Sequence, residues 1–103
     1  MVKEYNKLVR NCIPKIIAEK GESAVVHVAS DEEYKEKLKE KLLEEVNEYV
    51  QSGDAEELAD LLEVFYAICD NSDFSVEDIE KIRADKAEKR GGFSERIILD
   101  RTE

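Results

Sequence analysis

Four acidic residues, Glu45, Glu48, Glu57 and Asp60, lie in the run EEVNEYVQSGDAEELAD as two i, i+3 pairs. At about 100° per residue, such a pair sits about 60° apart on a helix, so both carboxylates point the same way. Between the pairs, Ser52-Gly53-Asp54 is a turn signal. Two helices folded antiparallel about that turn would bring the pairs to one point. Carboxylates gathered there repel one another unless a cation sits among them. An all-oxygen donor set suits a hard divalent ion, Mg²⁺ first and Mn²⁺ as the alternative. Glu45, Glu48, Glu57 and Asp60 are therefore the candidate metal ligands.

The elements that would position these acids can be read from periodicity. Residues 6–20 form a short approach and a helix with Pro14 in its first turn, where a missing N–H costs little, and Gly21 ends it. Residues 23–29, SAVVHVA, alternate β-branched residues and predict a short strand. Asp31 reads as the N-cap of a long helix ending near Gln51. Its apolar stripe is Tyr34, Leu38, Leu42, Val46 and Tyr49, with Glu45 in the middle of the stripe, Glu48 on its edge and Glu44 pointing away. A carboxylate central to an apolar face needs its charge compensated, by a metal, by a buried salt bridge or by a locally wet face.

The next helix, from about Asp54 to Asp70, is apolar nearly all round and predicts burial on most sides. Glu57 continues the line of Leu61, Val64 and Ile68. Asp60 shares a face with Glu56 and Glu63, so a solvated position is an equal alternative to a ligand role. After a loop at 71–74, Ser75 and Asp78 resemble a capping box for a third clear helix, which Gly91-Gly92 stops. Lys86, Lys89 and Arg90 crowd its last turn, either as ordinary partners of the helix C-terminus or as contacts to substrate phosphate. Residues 96–100, RIILD, read as a second short strand that can pair with residues 23–29.

Composition narrows the function. At 103 residues the default is one domain, residues 1–103, and a core this small is often completed by oligomerisation. The net charge of −10 argues against broad binding to nucleic acid or anionic membrane. Residues 1–20 carry five Lys/Arg against Glu4 and Glu19, while residues 31–63 carry thirteen acids against four lysines. A basic patch beside an acidic centre suits a small phosphate-bearing molecule, and two differently solvated surfaces are the plainer reading. Cys12, Cys69 and the lone His27 have no zinc-ligand spacing. Two unclustered cysteines, with neither a signal peptide nor a membrane-length apolar run, lead to the expectation of a cytoplasmic protein with reduced thiols.

The acidic run also resembles a known pattern. EEVNE at Glu44–Glu48 followed by EELAD ending at Asp60 matches the EExxE…ExxD motif of the MazG-like all-α nucleotide pyrophosphohydrolases. YNKLVRNCIP near the start and KRGGFSERIIL near the end resemble a MazG-related subfamily labelled phosphoribosyl-ATP pyrophosphohydrolase-like. Its opening usually reads YNKLVRDKIP, so Asn11 and Cys12 replace an Asp and a Lys, and any phosphate contact of that Lys is lost here. The resemblance covers most of the chain. It implies a mainly all-α, MazG-like helical bundle completed as a homodimer or homotetramer. It also implies hydrolysis of a nucleoside triphosphate or related nucleotide to the monophosphate and pyrophosphate. Under that resemblance Glu45, Glu48, Glu57 and Asp60 hold Mg²⁺, and Glu44 or Glu45 orients or deprotonates the attacking water. Lys7, Arg10, Lys86, Lys89 and Arg90 are the candidates to stabilise phosphates. Tyr5, Tyr49 and Phe65 are candidates for a base pocket, against the plainer reading as core. Two alternatives stand beside it: the phosphoribosyl-ATP pyrophosphohydrolase of histidine biosynthesis, and a non-catalytic helical module that binds nucleotide or dimerises.

Overall fold

The computed structural model describes residues 2–103. It consists of four helices: α1 (Ile13–Glu19), α2 (Asp31–Ser52), α3 (Ala55–Asp70) and α4 (Val76–Arg90). The fold is all-α, with no strand among the described residues. Each helix boundary has a local cause. Ser30 caps α2, its Oγ accepting from the Glu33 backbone N–H, and Asp31, Glu32 and Glu33 in the first turn complement the helix dipole. The cap is thus one residue earlier than the expected Asp31. At the other end Gly53 takes the left-handed conformation (φ 70°) and donates to the Tyr49 carbonyl. Asp54 follows in an extended conformation and α3 begins at once. The capping box at α4 forms as expected: Ser75 Oγ accepts from the Asp78 N–H, and Asp78 returns the bond to the Ser75 N–H.

The two-residue link between α2 and α3 turns them into an antiparallel hairpin, the only extensive helix pair among the described residues. Along its seam lie the buried apolar residues, Leu38 from α2 with Val64 and Cys69 from α3. Ile13 and Ile17 of α1 are half-buried, whereas α4 buries no residue. The molecule measures 59 × 32 × 24 Å, and its radius of gyration is 18.3 Å, against about 13 Å for a compact chain of this length. It exposes 9606 Å², where a compact monomer of 11.8 kDa would expose about 5,900 Å². Much of α3 expected to be covered is therefore open: Leu58, Leu62 and Tyr66 are exposed within the single chain.

The predicted two-stranded element, residues 23–29 with 96–100, does not form. Both segments are irregular, with Val25 at 98% and Ile97 at 80% exposure, and no backbone bond joins them. An isolated two-stranded ribbon is marginal in water without an apolar surface beneath it, and the hairpin offers neither segment such a surface. Alternation of valines reports a residue type suited to strands; it supplies no partner.

Candidate metal centre

Glu45 lies two helical turns before the hairpin bend, and Glu57 and Asp60 lie in the first two turns of α3. Antiparallel packing places the three side by side. One carboxylate oxygen from each of Glu45, Glu57 and Asp60 falls within 4.8 Å of the others, so the group could hold a metal ion. Glu45, Glu57 and Asp60 would supply the oxygen ligands that a hard divalent ion prefers.

Glu45 is the unusual member. It is 5% exposed and the only buried charged residue among those described. Its Oε1 lies 3.4 Å from the Lys41 Nζ, while its Oε2 is buried with no hydrogen-bond partner. A buried carboxylate oxygen left unmatched costs free energy unless something else meets it. Burial pushes the Glu45 carboxyl above its ordinary value of 4.5; the nearby Lys41 opposes this, and the negative charges of Glu48 and Asp60 add to it. The Glu57 carboxyl is also raised, by desolvation, by hydrogen bonding with Glu48 and by the charges of Glu48, Asp60 and Glu45. Beyond desolvation, the neighbouring carboxylates add to both rises, and a cation among them would relieve that repulsion.

Glu48, the fourth expected ligand, is exposed and stands outside the three converging oxygens, although its charge acts on both Glu45 and Glu57. Asp60 stands between the two alternatives: its residue is half-buried and one oxygen joins the cluster, while its side chain keeps 41% of its surface in solvent. Glu44 points elsewhere, as its helix position required: its oxygens accept from Lys7 and Lys41, both at 3.1 Å. Desolvation would raise the Glu44 carboxyl, but these two ammonium groups outweigh it and hold it below its ordinary value.

Of the five basic residues singled out, one reaches the cluster: the Arg10 Nη2 lies 2.8 Å from Asp60 Oδ1, while Lys7 binds the neighbouring Glu44. Lys86, Lys89 and Arg90 are exposed near the end of α4, Lys89 and Arg90 in its last turn; they make no ion pair among the described residues and do not act on the acidic cluster within one chain. Lys41 was missed from the sequence. Its i, i+3 and i, i+4 spacing to Glu44 and Glu45 was the available signal, since such pairs meet on a helix. The Asn6 carbonyl, bound by the Lys37 Nζ at 2.7 Å, completes the attachment of the N-terminal segment to α2. Between that segment and α2 lies a cavity of about 190 Å³, whose lining includes Tyr5, Lys7, Lys37, Lys41 and Glu44.

Among the described residues, no helix is long and apolar enough to cross a membrane. No family model matches the chain, and neither a curated protein nor a solved structure matches it.

Proposed function

We propose that the chain is a divalent-metal-dependent nucleotide pyrophosphohydrolase, hydrolysing a nucleoside triphosphate or related nucleotide to the monophosphate and pyrophosphate. The observation that carries this reading is Glu45: a buried carboxylate with an unpartnered oxygen, facing two further carboxylates across a helix seam. The MazG-like pattern of the acidic run adds the reaction class. Glu45, Glu57 and Asp60 hold the ion, Mg²⁺ by preference or Mn²⁺, with Glu48 at the margin of the set. When bound, the ion neutralises phosphate charge and makes a water more acidic.

The chain's own groups divide the remaining work. Lys7 and Arg10 place positive charge beside the acids, where phosphate oxygens would lie. Between the two candidate bases, Glu44 has both oxygens occupied by ammonium groups and a lowered proton affinity, which makes it a poor base. Glu45 has the oxygen free of ammonium groups, and that is the oxygen offered to the ion, so Glu45 is assigned to orienting the water held beside it rather than to taking its proton. The water oxygen bonds to phosphorus, the bridging oxygen leaves with pyrophosphate, and the water's proton passes to solvent. The exposed apolar face of α3, with Leu58, Leu62 and Tyr66, is covered in a homo-oligomer, a homodimer or homotetramer, which also accounts for the excess surface of the single chain.

The test is pyrophosphate release from a panel of nucleoside triphosphates and phosphoribosyl-ATP, with and without Mg²⁺. Metal-dependent release from one or a few members is expected. Release from phosphoribosyl-ATP alone would move the reading to the histidine-pathway activity. A folded protein that binds Mg²⁺ but releases nothing would move it to a non-catalytic nucleotide-binding module, with Asn11 and Cys12 as the first suspects.

A further inference from the structure

Three contacts fasten the N-terminal segment, residues 2–12, to the hairpin. Asn6 adopts a left-handed backbone (φ 49°), and its carbonyl accepts from the Lys37 Nζ at 2.7 Å. Lys7 binds Glu44 at 3.1 Å and Arg10 binds Asp60 at 2.8 Å. Only the third reaches one of the three converging carboxylates. Those carboxylates are held unequally. Glu45 keeps Oε2 free, Glu57 has no ion pair among the described residues, and Asp60 already has Oδ1 engaged by the guanidinium.

A divalent ion entering the cluster therefore finds two carboxylates available and the third engaged by a fixed positive charge. Lys41 is the weaker obstacle: it stands 3.4 Å from Glu45 Oε1 and is shared with Glu44 at 3.1 Å, whereas the Arg10 guanidinium sits at hydrogen-bond distance from Asp60. A guanidinium and a divalent cation on one carboxylate repel each other, and the Arg10–Asp60 pair is solvent-accessible enough to break at low cost. We propose that Arg10 is the resident counter-ion of the metal-free cluster and competes with the divalent cation for Asp60, so that metal entry frees Arg10 and loosens the end of the N-terminal segment next to α1. The proposal rests on the metal-centre reading above and deepens it. Its consequence is an ordering device: Arg10 neutralises the acids until the ion arrives, and is then released beside the place where an anionic substrate would dock. Lys37 and Lys7 keep the segment attached while this happens, since neither of their partners is among the three converging acids.

The test is calorimetric titration of Mg²⁺ and Mn²⁺ into the full chain and its R10Q and K7Q variants at constant ionic strength. R10Q is expected to bind metal roughly three- to five-fold tighter, the range that a partly exposed ion pair of up to about 1 kcal/mol would allow. K7Q removes the same charge from the same segment and is expected to gain less, which separates competition at Asp60 from a general field effect. Amide hydrogen exchange of residues 2–12 in the unaltered protein is expected to quicken on saturation with Mg²⁺. Equal or weaker metal binding by R10Q, or a gain matched by K7Q, or exchange that slows or stays unchanged with metal, would overturn the proposal while leaving the metal centre intact. No binding of either ion at millimolar concentration by the unaltered protein would overturn the metal centre and the proposal with it.

Discussion

The α2–α3 hairpin and α4 with its tail are both rich in charged residues, but the hairpin carries the larger apolar share, and they end in different states. The hairpin buries Leu38, Val64 and Cys69 along one seam and holds Glu45 in the same seam. By contrast, α4 is well capped at both ends and buries nothing, and the tail leaves Ile97, Ile98 and Leu99 open to solvent. Good caps make a helix; only a facing partner makes a site. The basic last turn of α4 and the acids of the hairpin look equally functional as composition, but packing converges only the acids.

The sharpest way to break this comparison is at Glu45. E45Q and D60N are each expected to lower metal-dependent pyrophosphate release at least a hundredfold, since loss of a ligand should exceed the roughly 10- to 100-fold effect of outer-shell changes. E45Q should melt at or above the metal-free unaltered protein, because it removes a buried charge with an unmatched oxygen. Calorimetry for metal and a thermal melt check both halves, and full activity in either variant would sink the site. Next in size is the seam itself. Leu38→Ala should cost about 2–5 kcal/mol of stability in chemical denaturation. Ile98→Ser in the tail should cost under about 0.5 kcal/mol in dilute single chains.

The hairpin was the legible part of the sequence. The two i, i+3 acidic pairs, the Ser52-Gly53-Asp54 turn and the apolar stripe interrupted by Glu45 are all local patterns, and local patterns fix a short-linked helix pair. The convergence of Glu45, Glu57 and Asp60 followed from them. Glu48 lies outside that trio but beside Glu57, because its stripe-edge position is decided by the helix-crossing geometry, which spacing does not encode. The valines of residues 23–29 misled because strand propensity needs a partner and a surface to act on. The Arg10–Asp60 contact spans fifty positions and depends on the course of an irregular segment, so periodicity carried no trace of it.

A titration would sharpen the contrast by a smaller amount. Glu45 and Glu57 have folded-state proton affinities raised above the ordinary value of 4.5. Their contribution to stability is therefore full below that value and is lost as pH rises through the raised folded values. Glu44 has the opposite sign: its contribution is present above 4.5 and is lost as pH falls through its lowered folded value. The metal-free protein should accordingly lose melting temperature as pH climbs from 4.5 toward neutrality. Saturating Mg²⁺ should abolish or reverse that slope, since the ion favours the ionised carboxylates. E45Q should flatten it in the absence of metal. A melting temperature rising over this interval without metal would contradict the electrostatic account of the cluster.

The smallest expected effect lies in α4. Lys86, Lys89 and Arg90 sit where the partial negative charge of a helix C-terminus collects, and Gly91 closes that end by donating to the Ala87 carbonyl. In a single chain they touch neither the acids nor the N-terminal segment. Replacing all three with Gln should remove about 0.3–1 kcal/mol of helix stability per charge and leave the KM for nucleotide unchanged. The comparison gives this null result its force. If KM rises instead while the melting temperature barely moves, the residues act on phosphate, and because one chain does not bring them to its own cluster, they must act on the cluster of a second copy. Mixing the triple variant with inactive E45Q then separates the cases: activity restored in the mixture requires a site assembled from the hairpin of one chain and the α4 of another.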